Sequence, residues 1–221
     1  MLQSTHYELL DKVRFGKDGD ERKEALKALI NLEYEAEFDD ADLLKLLDDN
    51  DAVIQVYAIG AMGRLQTKDC IPALIEKFTE STNTLILNEL LNAFQQYDSD
   101  DFLDIVISKL KKLYKKPWFF NLRKTVLDSD SDRGFVLNQI LIPSLKYIRI
   151  AGNPKVGKIV KPFLDHEDAN VRWHTLKVFD SIGIEIKSDI LQDFIVSDSS
   201  PLVRELATII LERQKNRIVT P

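Results

Sequence analysis

Residues 51–65 read DAVIQVYAIGAMGRL, and the spacing of their apolar side chains predicts the fold of the whole chain. These side chains fall 0, 4, 7, 8 and 11 residues from Ile54, on one face of an α-helix. The same offsets return from Ile86 and Val171, and four of the five columns also fit from Glu21 and Val203. The steps between these five anchor residues are 33, 32, 85 and 32 residues. A period near 32 predicts an array of helical repeats whose neighbours stack to bury their apolar faces.

The step of 85 residues contains an irregular fourth unit. Its best fit to the columns begins at Leu137, which lies 51 residues after Ile86 and 34 before Val171. This unit therefore carries about 19 extra residues, at 115–133, and such an insertion projects from a loop face. We expect residues 117–127 to form a short helix whose aromatic side chains, at 118–120, pack against the third and fifth units. Pro143 is expected to kink the following helix or to shift its start.

The pattern predicts six antiparallel helix pairs in a single domain, residues 1–216, with a short tail at 217–221. The second helix of a pair carries the repeated columns and follows a residue type that caps helix N-termini. The predicted caps are Asp18, Asp51, Asn83, Asp168 and Ser200. The predicted helices span 4–14, 20–32, 39–47, 51–65, 69–78, 84–97, 101–114, 137–148, 155–164, 168–182, 188–196 and 201–214.

Composition and charge narrow the class of protein. A lone cysteine, Cys70, cannot form an intramolecular disulfide and suits a reducing compartment. The N-terminus lacks the pattern of a signal peptide, and the most apolar run, 135–150, is too polar to span a bilayer, so we expect a cytoplasmic protein. Residues 1–110 carry 11 Lys and Arg against 23 Asp and Glu, whereas residues 111–221 carry 19 against 13. Two interpretations of this asymmetry stay open: solvated helix faces, or a charged surface that steers a complementary partner.

No residue pattern indicates catalysis, a cofactor or a metal site. The three histidines, His6, His166 and His174, lack the i, i+4 spacing of a helical zinc pair. The sequence contains no HExxH, P-loop, GxGxxG or GxSxG motif. Paired aspartates stand at predicted helix ends, where capping and the helix dipole explain them. The sequence therefore predicts a non-catalytic protein without a cofactor.

The second helices resemble those of HEAT repeats, which typically read Asp-x-x-Val-Arg-x-x-Ala-x-x-Ala-Leu-Gly. The matching segments are Asp168-x-x-Val171-Arg172, Val203-Arg204-x-x-Ala207 and Asp51-x-x-Ile54-Gln55-x-x-Ala58-x-x-Ala61-Met62-Gly63. The short repeats are also similar to those of phycobilisome lyase-like proteins. The resemblance implies a right-handed α-solenoid, a concave surface lined by second helices, and an Asp–Arg ladder between neighbouring repeats. Gln55, Leu87 and Asn138 stand where the ladder arginine is expected in the middle units.

Candidate contacts with a partner lie 2, 3 and 6 residues after each anchor, beside the buried face. Tyr and Trp at such positions make effective interface anchors because they combine a large area with few rotors. For Tyr57 and Trp173, packing against neighbouring helices is the alternative interpretation. The selected candidates are Lys23, Lys27, Tyr57, Asn88, Glu89, Asn92, Trp173, His174 and Lys177, with Lys115, Lys116, Arg123 and Lys124 added from the insertion.

HEAT arrays mostly serve as scaffolds, so the resemblance implies a protein–protein binding module. The acidic first half favours a basic protein partner. By analogy, an immunity or antitoxin-like protein that neutralises a basic toxin is one specific form. Two alternatives stay open. The basic and aromatic residues of the insertion favour nucleic-acid binding, as in HEAT-like DNA glycosylases, and the same fold also serves lyase-like accessory enzymes.

Overall fold

A computed structural model describes residues 2–31, 40–66, 68–97, 101–114 and 132–219 of the chain. Every regular element in these ranges is helical, so the predicted all-α class is confirmed there. The α-helices are α1 (Leu2–Phe15), α2 (Gly19–Asn31), α3 (Asp40–Leu47), α4 (Ala52–Leu65), α5 (Ile71–Glu80), α6 (Thr84–Phe94), α7 (Asp101–Tyr114), α8 (Asp132–Ala151), α9 (Gly157–Val160), α10 (Ala169–Ser181), α11 (Ser188–Ser197) and α12 (Pro201–Val219).

Three predicted helices differ most from the observed ones, and the others differ by at most three residues at an end. The single helix expected at 155–164 is instead a 3₁₀ turn (Pro154–Val156), α9, and a second 3₁₀ turn (Lys161–Asp165). Pro162 explains part of this, because it has no N–H to continue an α-helical ladder. The eighth helix runs through Pro143, so the proline marks neither of its ends. The last helix reaches Val219, beyond its predicted end at residue 214.

The chain divides into two compact units, Met1–Phe102 and Leu103–Pro221, with α7 crossing the division. We refer to them as unit 1 and unit 2. Unit 1 carries 10 Lys and Arg against 22 Asp and Glu, a net charge of −12. Unit 2 carries 20 against 14, a net charge of +6. The predicted single domain over 1–216 stays a prediction.

The core of unit 1 is centred on α4, which packs against α2, α3 and α6. The predicted columns of α4 are fully buried from Ile54 to Met62, and those of α6 are buried as well. The two helices approach closely at Gly63, where an added Cβ would lie 2.8 Å from the Cα of Ala93. Any larger residue at position 63 would collide with Ala93, so Gly63 allows the backbones of α4 and α6 to lie this close together.

In unit 2, α10 packs against α8 and α12, and α11 packs against α12. The predicted columns of α10 and α12 are buried at four positions each. On α8 the predicted columns from Leu141 to Ile148 are buried too, including the hydroxyl-bearing Ser144. The repeated columns therefore identify core residues in both units.

A hydrogen-bonded turn recurs before α4, α6, α10 and α12. In each turn a side chain accepts a hydrogen bond from the backbone N–H two residues later, the geometry of an Asx-type turn. The acceptor and donor residues are Asp49 and Asp51 (2.8 Å), Ser81 and Asn83 (3.2 Å), His166 and Asp168 (3.1 Å), and Asp198 and Ser200 (2.8 Å). Four predicted caps are confirmed, because Asp18, Asp51, Asn83 and Asp168 each accept from a backbone N–H of the helix they precede.

Candidate functional site

Six predicted contact residues lie on α2, α4 and α6 of unit 1, which we name the α2–α4–α6 face. Both of its candidate lysines are already paired. Lys23 lies 3.2 Å from Asp51, and Lys27 lies 2.6 Å from Glu24. The hydrogen bond and the charge of Glu24 raise the pKa of Lys27 above its ordinary value. These lysines therefore do not make the face basic.

Acidic groups stay exposed on the same face. The side chain of Asp20 is 97% exposed and that of Glu24 is 71% exposed. On α6, Glu89 accepts a hydrogen bond from the Asn92 amide at 3.2 Å. An added Cβ at Gly60 would lie 2.8 Å from the Glu89 carboxylate, so this side chain lies directly against α4.

Two other candidates on this face are partly structural. Tyr57 is half-buried and packs against the core cluster that α1, α2, α3 and α4 share. The side-chain oxygen of Asn88 is buried and has no hydrogen-bond partner among the described residues. Tyr57 therefore contributes to stability, and the buried oxygen of Asn88 is not accessible to a partner.

The three candidates on α10 form a compact group with two cations of α8 in unit 2. The Lys177 ammonium lies 4.0 Å from the centre of the Trp173 ring, a cation–π contact. The His174 ring meets the Trp173 ring edge to face, with centroids 4.8 Å apart. Burial is the main cause that lowers the pKa of His174, to about 4. The charges of Lys146, Lys177 and Arg149 lower it further, so His174 is neutral at pH 7.

An arginine in each unit binds the turn that precedes a later helix. In unit 2, Arg172 makes two hydrogen bonds to the Asp198 carboxylate, at 2.7 and 2.8 Å, and donates to two backbone carbonyls of its own turn. Burial raises the pKa of Asp198, but the bonds from Arg172 and from the Ser200 backbone outweigh it and hold that pKa below its ordinary value. In unit 1, Arg22 contacts the Asp49 carboxylate through one nitrogen and donates to the backbone carbonyl of Val13 on α1.

Sequence reasoning missed a cavity in unit 2 of about 630 Å³, with an apolar floor and lysines at its mouth. Three of these lysines are spaced three residues apart in KVGKIVK (Lys155, Lys158, Lys161), a signal that the sequence offered. The fourth, Lys187, comes from the segment before α11, and no local pattern connects it with the others.

The four candidates from the insertion, Lys115, Lys116, Arg123 and Lys124, lie outside the described residues. The aromatic residues at 118–120, expected to belong to a short helix, lie outside them as well. Within the described ranges, no group of three or more His, Cys, Asp or Glu side chains could hold a metal ion. In the same ranges, every helix is too short or too polar to cross a membrane.

Comparison with known proteins adds no relative, since no protein-family model and no curated protein sequence matches this chain. Any functional proposal therefore depends on the chemistry of the two units themselves.

Proposed function

We propose that this chain is a non-catalytic HEAT-like α-solenoid that binds another protein, and that the α2–α4–α6 face of unit 1 engages a basic partner. The observation that carries the proposal is the charge of this face. Lys23 lies near both Asp51 and Asp20, and Lys27 pairs with Glu24, so carboxylates outnumber lysines on this face in a unit of net charge −12. Such a surface attracts a basic protein and repels a nucleic acid.

The repeat interpretation is supported by local structure that recurs. The same turn stands before four helices. In three of the proposed repeats, the side chain of the residue after the anchor also donates to the backbone carbonyl six residues earlier. These residues are Gln55, Arg172 and Arg204. Second helices contact second helices, α4 with α2 and α6, and α10 with α8 and α12. A stacked array requires that order of contacts.

An immunity or antitoxin-like role is the specific form of this proposal. A basic toxin would find exposed carboxylates at Asp20 and Glu24 and a further carboxylate at Glu89. The charges would mainly speed the encounter.

A second candidate function is nucleic-acid binding by unit 2, which the group of Trp173, Lys177, Lys146 and Arg149 favours. Aromatic and basic side chains together can stack bases and bind phosphates. One face of the Trp173 ring is already occupied by Lys177, however, which leaves less of the ring for stacking. This candidate therefore ranks second.

The test is affinity isolation from the source cells with the full chain and with Asp20→Lys/Glu24→Lys. We expect the original chain to retain a basic protein and the double variant to lose most of it. With the isolated partner, the association rate should fall steeply as ionic strength rises.

The matched control is Glu76→Lys/Glu80→Lys, which changes the same charge at two exposed positions of α5 in the same unit. It should retain the partner as the original chain does. Equal losses in both variants would mean that net charge alone matters. Retention on mixed nucleic acid at physiological salt, abolished by Lys177→Gln, would favour the second candidate instead.

A further inference from the structure

The lysine-rimmed cavity, defined by Lys155, Lys158, Lys161 and Lys187 around an apolar floor, belongs to unit 2, whereas the α2–α4–α6 face belongs to unit 1. Its volume of about 630 Å³ falls in the range of roughly 300–1,000 Å³ that small-molecule sites occupy. From the charge of its mouth and the chemistry of its floor, we infer that it binds a small amphipathic carboxylate of the fatty-acid type.

The floor offers an aliphatic chain an apolar environment. Leu164, Phe179 and Ile186 are buried beneath it, and Ile184 and Ile190 line it while half-buried. Gly157 is also part of the wall, and an added Cβ there would lie 2.5 Å from the Cδ1 atom of Ile184. The glycine therefore lets Ile184 fold inwards and form one side of the cavity.

The mouth supplies the positive charge that a carboxylate requires. All four lysines are exposed, and none forms an ion pair within the described residues. The one acidic residue that lines this cavity is Glu185. An adjoining cavity of about 500 Å³ shares Lys158 and Lys161 but is also lined by three aspartates, Asp165, Asp189 and Asp193. An anion should therefore bind in the cavity with four lysines and one glutamate rather than in the adjoining one, where aspartates outnumber lysines.

An aliphatic carboxylate fits this site better than an extended peptide does. A peptide brings backbone N–H and C=O groups that need partners, and an apolar floor provides none. The segment before α11 offers few free backbone groups. The N–H of Ile184 donates to Phe179, and the Gln214 amide, oriented to satisfy both groups, pairs with the N–H and the C=O of Ile186 at 3.0 and 2.9 Å.

The experiment is a titration of the full chain with dodecanoate below its micelle concentration, followed by isothermal calorimetry and by isoleucine methyl NMR. We expect one molecule to bind and to shift the methyl resonances of Ile184, Ile186 and Ile190. Affinity should rise several-fold with each added methylene across hexanoate, octanoate and decanoate, because each buries more apolar area. The dodecyltrimethylammonium cation should not shift these resonances.

Lys158→Gln/Lys187→Gln should weaken dodecanoate binding at least tenfold, because a hydrogen bond to a charged group is worth a factor of about ten or more. Lys111→Gln/Lys215→Gln removes two exposed lysines of the same unit away from the cavity, and should bind as the original chain does. The proposal is wrong if the two variants bind equally, if affinity ignores chain length, or if an acidic peptide with a central phenylalanine shifts these methyls while dodecanoate does not. Because the cavity lies in unit 2, failure here leaves the proposed role of unit 1 intact, and the reverse also holds.

Discussion

In unit 1, Arg22 binds Asp49, 27 residues later; in unit 2, Arg172 binds Asp198, 26 residues later. Both aspartates also accept a hydrogen bond from the backbone two residues on, so each pair ties a helix to the turn before a later one. The pairs differ in depth. The side chains of Arg172 and Asp198 are 10% and 4% exposed, against 20% and 10% for Arg22 and Asp49. The pairs differ in hydrogen bonding too, because Arg172 binds Asp198 through two nitrogens whereas Arg22 binds Asp49 through one.

The two units differ much more in how their surface lysines are paired. Four lysines of unit 1 pair with carboxylates: Lys23 with Asp51, Lys27 with Glu24, Lys45 with Asp42, and Lys77 with Asp48. The four lysines around the cavity of unit 2 have no such pair among the described residues. The turns therefore tie helices together in both units, whereas the surface charges differ, and our proposals give each surface a ligand of the opposite charge.

The largest expected effect tests the depth of the two arginine contacts. Arg172→Ala should lower the free energy of unfolding by about 3–5 kcal/mol, because it leaves the buried Asp198 carboxylate without its partner. Arg22→Ala should cost about 1–3 kcal/mol, since water reaches that pair more easily. Urea unfolding followed by circular dichroism measures both.

Arg213→Ala serves as the control for removal of an arginine, because the Arg213 side chain is 58% exposed where it pairs with Asp180. It should cost less than about 1 kcal/mol. Equal losses for Arg172→Ala and Arg22→Ala would show that burial does not distinguish the two turns.

The next effect concerns the column seven residues after each anchor. It holds Ala61 and Ala93 in unit 1, and Ser144, Val178 and Ile210 in unit 2, and all five are buried. Ala61→Leu should overpack the narrow space between α4 and α6 and lower the free energy of unfolding by about 1–3 kcal/mol. Urea unfolding again provides the measurement.

Glu76→Leu introduces the same side chain at an exposed site of α5 and should change stability by less than about 0.5 kcal/mol. If Ala61→Leu is equally neutral, the helices of unit 1 are not packed as closely as Gly63 and Ala93 indicate.

The core could be predicted from the sequence because buried helix faces require apolar side chains at regular spacing, and that spacing is visible in a single sequence. Leu65 and Ile182, the last columns of their helices, are only half-buried because the helix ends there. The turn acceptors could not be predicted as a set, since aspartate, serine and histidine all perform the same hydrogen bond. His166 shows this well: it is neither a metal ligand nor a core residue, but the acceptor of the Asp168 N–H.

The candidate sites were harder to predict than the core. Spacing along a helix identified the lysines of the α2–α4–α6 face, but it could not show that Asp51, from another element, would neutralise Lys23. The cavity combines Lys187 with three lysines that lie 26 to 32 positions earlier, and only the folded chain brings them together. The sequence alone therefore does not show which charged side chains from different helices come together in the fold.

The smallest expected effect measures the excess positive charge of unit 2 through His174. Its pKa of about 4 reflects burial first and then the charges of Lys146, Lys177 and Arg149. A histidine whose pKa is lower in the folded chain than in the unfolded chain takes up its proton preferentially on unfolding. Stability from this group is therefore complete above pH 6.5 and falls as the pH decreases towards 4.

Two-dimensional NMR of the histidine rings, assigned with His174→Gln, should show this residue titrating near pH 4, and Lys146→Gln should raise that value. Arg213→Gln, which removes a cation from α12 instead, should leave it unchanged. If His174 titrates near pH 6.5 in the intact chain, water and counterions screen the α8 and α10 cations, and the contrast in surface charge between the units is weaker than their ion pairs suggest.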